Sequence, residues 1–174
     1  LGRIRLAILS LEGRLEILFM EVNEEKLKNI KNKAEQEYRE IDSIYCPYFK
    51  DQVAFNSKGL EHIKFKDRNK TRSAEDQYIR LRCLPLASKT IEASHTLQGI
   101  QERNEMVRVK KIKWAHVMKR VTYFEFIAVI NDYRVRVIIK KVYGGESHFW
   151  SIIPFWRTDM LGKRLIYSGN PGED

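Results

Sequence analysis

The stretch FNSKGLEHIKFKDR, residues 55–68, gathers one histidine, four lysine or arginine side chains and one glycine in fourteen positions. On a helix each residue advances by about 100°, so counting from Lys58 sets His62 at about 40° and Lys66 at about 80°, with Leu60 near 200° and Ile63 near 140°. Such a helix buries Leu60 and Ile63 and displays Lys58, His62 and Lys66 together. Arg68 follows near its end, and Lys70 and Arg72 carry the positive charge onward. A histidine among cations suits cleavage of RNA by its own 2′-hydroxyl. One group takes the 2′-OH proton, another protonates the departing 5′-oxygen, and cations hold the charge that gathers on phosphorus. An imidazole serves either proton role because its ordinary pKa, about 6.5, lies near working pH, and neighbouring cations push it down. The plain alternative is a solvated basic helix face on which His62 does nothing chemical.

A second stretch, GGESHFWSIIPFW at 144–156, reads as a strand. Its alternation sets Phe149, Ser151, Ile153 and Phe155 on one face and His148, Trp150, Ile152 and Trp156 on the other. Both faces are largely apolar, so the pattern leaves open which is core. His148 is the leading candidate for a second proton carrier. His95, His116 and Glu125 are further candidates for which no spacing argues; His95 suits a helix surface, and His116, beside Trp114, suits a structural role. Ser151 is as well explained by a tight core position as by a functional hydroxyl, and Trp150 and Trp156 taken singly suit a core. In VRVKKIKW and YRVRVIIKK cations recur at every second residue, with Arg134 and Arg136 on one face and Lys140 in line. Beside a cleft they would track phosphates; on an outer edge they would guard against strand pairing.

These residues need elements to hold them. Asn23 can cap a helix, Glu24 and Glu25 suit its positive end, and Leu27, Ile30, Ala34, Tyr38 and Ile41 recur three or four apart. YCPYF breaks that helix at Pro47, and DQVAF reads as a short strand leading to Asn56 or Ser57 as the next cap. Ser73 with Asp76 opens a third helix, in which Pro85 predicts a kink or two helices end to end. QGIQERNE closes the helical half. Strands are then expected near 106–117, 120–130, 134–143 and 147–156, with NDY and YGGE as turns. Residues 4–20 form either a hairpin turning at Glu12-Gly13 or an extension upstream of Met20. The expected fold class is α+β, with N-terminal helices followed by a four-stranded antiparallel sheet. The expected division is 1–22 as extension or hairpin, 23–48 as an N-terminal helix, 49–160 as the main domain, and 161–174 as a C-terminal tail.

The chain has 174 residues and a formal charge of +9, with 43% hydrophobic residues. Its pI near 9.5 favours an acidic partner, and no apolar run approaches the eighteen or so residues of a membrane span. The two cysteines, Cys46 and Cys83, form no CxxC pair and no zinc-ligand spacing, and the start lacks a secretory layout, so a reduced cytoplasmic setting without metal or other cofactor is expected.

A helix start carrying KGLEHI, a downstream basic residue, and a last strand with a hydroxyl three residues before proline, SIIP, resemble the barnase, EndoU, colicin and RelE-like group of ribonucleases. The likeness is greatest to its phage- and toxin-associated domains, and it covers about Val53 to Arg157. It implies a metal-independent endoribonuclease. The group's histidine falls on His62, its cations on Lys58, Lys66 and Arg68, and the hydroxyl of its T-x-x-P pattern on Ser151, with Trp150 as a base-stacking ring. The catalytic set expected is therefore His62, Ser151 and Arg68. Lys58, Lys66, Arg72, Lys140, His148 and Trp150 are expected to bind substrate. The partners implied are RNA and an acidic antitoxin or immunity protein, with no membrane. A non-catalytic nucleic-acid-binding module on the same scaffold, or a basic structural protein of a phage or larger assembly, would share the charge.

Overall fold

The computed structural model of the chain describes residues 5–9, 15–19, 23–67, 70–110, 114–130 and 133–154. In chain order the elements are β1 (Arg5–Leu9), β2 (Leu15–Phe19), α1 (Glu24–Glu40), β3 (Ser43–Cys46), β4 (Asp51–Ala54), α2 (Ser57–Lys64), β5 (Phe65–Asp67), β6 (Lys70–Thr71), α3 (Ala74–Glu92), β7 (Gly99–Lys110), β8 (Trp114–Ile130), β9 (Tyr133–Val142) and β10 (Ser147–Pro154).

The expectation of a four-stranded antiparallel sheet after N-terminal helices is overturned. The main sheet has six strands in the order β3-β4-β10-β9-β8-β7, and β10 runs parallel to β4 while the other neighbours are antiparallel. Two further two-stranded sheets pair β1 with β2 and β5 with β6. The helical pattern of α1 stops at Glu40, and Ile41 is already extended. Ser43–Cys46 then alternates exposed and buried, and Ile44 and Cys46 join Val53 of β4 in the core. A strand thus stands where the sequence suggested only a broken helix.

The hairpin at the start of the chain exists as the β1–β2 pair, and its turn lies outside the described residues. The segment expected to close the helical half is instead the first half of β7, which pairs with β8 from Gly99 opposite Glu125 to Lys110 opposite Trp114. The reversal between those strands therefore falls inside the expected strand 106–117, where KKIK offers no turn residue. Part of the NDY turn lies outside the described residues. YGGE does turn, with Gly144 at φ +75° and Gly145 N–H donating to Val142 O over 2.8 Å.

Local chemistry accounts for the helices. Asn23 accepts from Lys26 N–H, Asn56 from Lys58 N–H, and Ser73 from Asp76 N–H, so each helix has a side-chain cap. Pro85 does not divide α3, which continues from Ala74 to Glu92. Pro85 is exposed, while Leu81, Leu84, Ala87 and Ile91 on the other side are buried in the core and hold the helix through the missing hydrogen bond.

One core cluster fills the space between helices and sheet. It joins Ala34 and Tyr38 of α1, Leu60 and Ile63 of α2, and the α3 residues just named to Phe126, Val137, Ile139 and Phe149 of the sheet. Phe55 stacks on Phe149 at 4.9 Å and 7°, and the Tyr38 hydroxyl donates to Asn56 O over 2.8 Å. A smaller cluster, Val121, Tyr123, Ile138 and Ile153, packs with Val107, Val142 and Trp150. Gly59 is where α2 comes against β10: a Cβ there would lie 2.4 Å from Phe149 O and 2.6 Å from the Tyr38 hydroxyl. The glycine therefore lets the helix approach closely enough to bring His62 against β10.

Candidate functional site

Between α2 and β5 on one side and strands β7–β10 on the other lies an open cleft of about 1020 Å³. Six expected site residues line it: Lys58, His62, Lys66, Lys140, His148 and Trp150. Lys66 does so from β5, because α2 ends at Lys64 and the helical spacing that placed Lys66 beside His62 does not extend that far.

His62 is not displayed to solvent. It is 7% exposed, and its ring stacks on Trp150 with centroids 4.2 Å apart and planes 21° apart. Arg72 braces it from behind: Arg72 Nε donates to His62 O over 3.1 Å, and Arg72 Nη2 stands 3.5 Å from His62 Nε2. A guanidinium only donates, so this contact favours the tautomer with the proton on Nδ1. Arg72 is itself held by Asp76 at 3.1 Å and by Gln77, whose Nε2 donates to Arg72 O. Burial alone would raise the Asp76 carboxyl, but Arg80 and Arg72 outweigh it and hold it below its ordinary value. Arg72, expected to bind substrate, is thus a buried brace for the histidine.

Ser151 is brought elsewhere. It is fully buried, absent from the cleft lining, and accepts from Arg80 Nη1 over 2.8 Å; Arg80 also donates to Ile152 O and, over 2.8 Å, to Asp76. Its hydroxyl anchors Arg80 to the sheet, away from the cleft lining, as a tight core position would. Simple alternation misplaced these residues because a bulge at Trp150 shifts the register between Phe149 and Ser151.

The Trp150 ring, expected to stack on a base, is engaged by two neighbours within the protein. His62 stacks on it, and Lys140 Nζ lies 4.0 Å from the ring centroid. Lys140 also donates to Glu105 over 2.9 Å, and Glu105 accepts from the Tyr123 hydroxyl over 2.6 Å and from Arg103. Burial lowers the Lys140 ammonium below its ordinary value despite Glu105. Glu105 is lowered too: burial opposes this, but hydrogen bonds from Tyr123 and Lys140 prevail. Burial, reinforced by Glu105, pushes the Tyr123 hydroxyl upward, so it remains a protonated donor.

His148 is 4% exposed, and its Nε2 is buried without a hydrogen-bond partner among the described residues. Burial, then the charges of Lys58 and Lys140, push the imidazole down to about 4, so it is neutral at pH 7. Trp150 Nε1 is also buried without a partner among the described residues.

Arg68 and Trp156 lie outside the described residues. His95 is exposed after α3, and Glu125 is engaged by Arg136 in an ion pair. His116, expected to be structural, is exposed and borders the cleft. Sequence reasoning missed Arg103, Glu105, Arg108 and Tyr123 at this site. The signal was there in the period-two pattern of IQERNEMVR, which a helical reading of residues 98–105 obscured. Among the described residues no group of three or more His, Cys, Asp or Glu is placed to hold a metal, and no helix is long and apolar enough to cross a membrane.

Comparison with protein-family models, curated proteins and solved structures gives no match.

Proposed function

We propose that the chain is an endoribonuclease of the barnase, EndoU, colicin and RelE-like kind, cleaving RNA without a metal ion by attack of a 2′-hydroxyl on the adjacent phosphodiester. The observation that carries this reading is the neutral, largely buried His148 in the lining of a cleft that also holds His62 and the cations of Lys58 and Lys140. His148 Nε2 takes the 2′-OH proton as the 2′-oxygen bonds to phosphorus. His62, entering the step as the imidazolium, gives one ring proton to the 5′-oxygen as the P–O5′ bond breaks and returns to the neutral ring, leaving a 2′,3′-cyclic phosphate and a 5′-hydroxyl. Lys58, Lys66 and Lys140 stabilise the charge on the phosphoryl oxygens. Two free buried cysteines suit a reducing cytoplasm, and the net charge suits an acidic inhibitor protein that shields the cleft.

The test is incubation with total RNA and with ribosomes in the presence of EDTA, comparing the natural chain with His148→Gln and His62→Ala. Cleavage that persists in chelator and falls about 100-fold in each variant is expected, in line with the usual worth of a general acid or base. RNA binding without cleavage by all three proteins, on both substrates, would instead identify a nucleic-acid-binding module.

A further inference from the structure

With the Trp150 ring taken up inside the protein, a base entering the cleft would need a different platform. Three Phe, Tyr or Trp rings line the cleft among the described residues: Phe65, Tyr123 and Trp150. Trp150 holds His62 and Lys140, and Tyr123 is fully buried, with Arg103 Cζ 5.0 Å and Lys140 Nζ 5.1 Å from its centroid. Phe65 differs from both. It is 41% exposed, joins neither core cluster, and stacks on no other ring among the described residues.

A lone exposed ring is ordinary on a protein surface, so position must carry the argument. Phe65 is the C-cap of α2, its N–H donating to Glu61 O, and the helix that carries Lys58 and His62 therefore also fixes Phe65 at the cleft. Phe65 pairs with Thr71 and Asp67 with Lys70, which leaves Lys66 as an extra residue in a bulge. Neighbours in a regular strand point to opposite faces; with the bulge, Phe65 and Lys66 both line the cleft. An aromatic face beside an ammonium is the combination that a single strand of RNA uses, its bases stacking on the ring and its phosphates meeting the cation. Bases inside a duplex are already stacked and paired, so they are closed to such a ring.

We propose that Phe65 is the base-stacking platform of the cleft, holding an unpaired nucleobase of single-stranded RNA while Lys66 meets its phosphate. This rests on the cleft as an RNA site, but binding is tested apart from cleavage. In a His148→Gln background, the affinity for a labelled single-stranded RNA is measured over a salt series for Phe65→Ala, Phe65→Leu, Phe65→Tyr and Lys66→Gln. Tyr143→Ala, at a residue 74% exposed and outside the cleft lining, serves as the control. The same RNA annealed to its complement, and inorganic polyphosphate, are the probes whose bases are occupied or absent.

Phe65→Ala and Phe65→Leu are expected to bind the single strand at least about fivefold more weakly, the lower end of one base–aromatic stack, with the slope of log K against log salt unchanged. Phe65→Tyr and Tyr143→Ala should bind like the parent, and Lys66→Gln should lower the slope by about 0.7. Duplex and polyphosphate should bind Phe65→Ala and its parent alike. If Phe65→Ala loses its thermal transition, the contrast between Phe65→Leu and Phe65→Tyr gives the same reading. The platform is overturned if Phe65→Ala weakens binding no more than Tyr143→Ala, if Phe65→Leu binds as tightly as the parent, or if polyphosphate loses as much as RNA; an unmoved slope in Lys66→Gln overturns the pairing of ring and cation. Cleavage is scored on the chain with His148 intact. Ring-dependent binding without cleavage keeps the platform and removes the ribonuclease, and cleavage with ring-indifferent binding does the reverse.

Discussion

His148 carries the most informative chemistry at the scale of one residue. An imidazole near 6.5 when unfolded and about 4 when folded binds a proton first in the unfolded chain as pH falls. Stability is therefore lost between roughly pH 6.5 and 4, by up to about 3 kcal/mol at about 1.4 kcal/mol per pKa unit, and that portion levels off below both values. Urea unfolding at pH 7 and 4.5 should show this loss in the natural chain and a smaller one in His148→Gln. If His148 is the base of the proposed reaction, the acid limb of kcat/KM should fall near pH 4, because the base must be neutral to accept a proton. Removing a repelling charge with Lys58→Gln should move that limb upward while weakening substrate binding; an unmoved limb would take His148 out of the base role. Some of this was legible beforehand: KGLEHI named a histidine among cations. That His62 would be buried against Trp150 was not, since it depends on β10 lying beside α2.

Gly59 decides the geometry among the elements. With Phe149 O only 2.4 Å from its would-be Cβ, Gly59→Ala must push α2 away from β10. Overpacking of this sort costs about 1–3 kcal/mol, and the displacement would part the His62–Trp150 stack. A lower thermal midpoint together with a disproportionate loss of cleavage is expected; full activity in a merely destabilised protein would contradict the positioning. Caps and turns at this scale were readable because their chemistry is local, as at Asn23, Ser73 and Gly144. The parallel pairing of β4 with β10 was not readable, because it joins Ala54 to His148 through a single registered pair across most of the chain. The reversal after Lys110 was hidden for a different reason: no Gly, Asn or Pro marks it.

Taken as a whole molecule, the chain puts α1 and the sheet into one core. Tyr38 packs on Phe55 and Phe149 and donates to Asn56 at the start of α2. Lys64 of α2 pairs with Glu35 of α1 at 2.9 Å, which holds that carboxyl below its ordinary value. Tyr38→Phe should cost about 1 kcal/mol, the net worth of one hydrogen bond, by denaturant unfolding. A chain starting at Asp42, without α1, should lose its cooperative transition; if it folds and keeps its activity, the helix is an accessory. Net charge was legible from composition alone, but which cations gather at the cleft emerged only from the way the strands pair.

The central claim is transfer of the 2′-OH proton to a neutral imidazole in a cationic cleft, and the product termini test it most directly. RNA treated with the protein in chelator should carry 2′,3′-cyclic phosphate and 5′-hydroxyl ends, and a 2′-deoxy substitution at the scissile position should abolish the cut. Products ending in 5′-phosphate, or cleavage indifferent to that substitution, would contradict it.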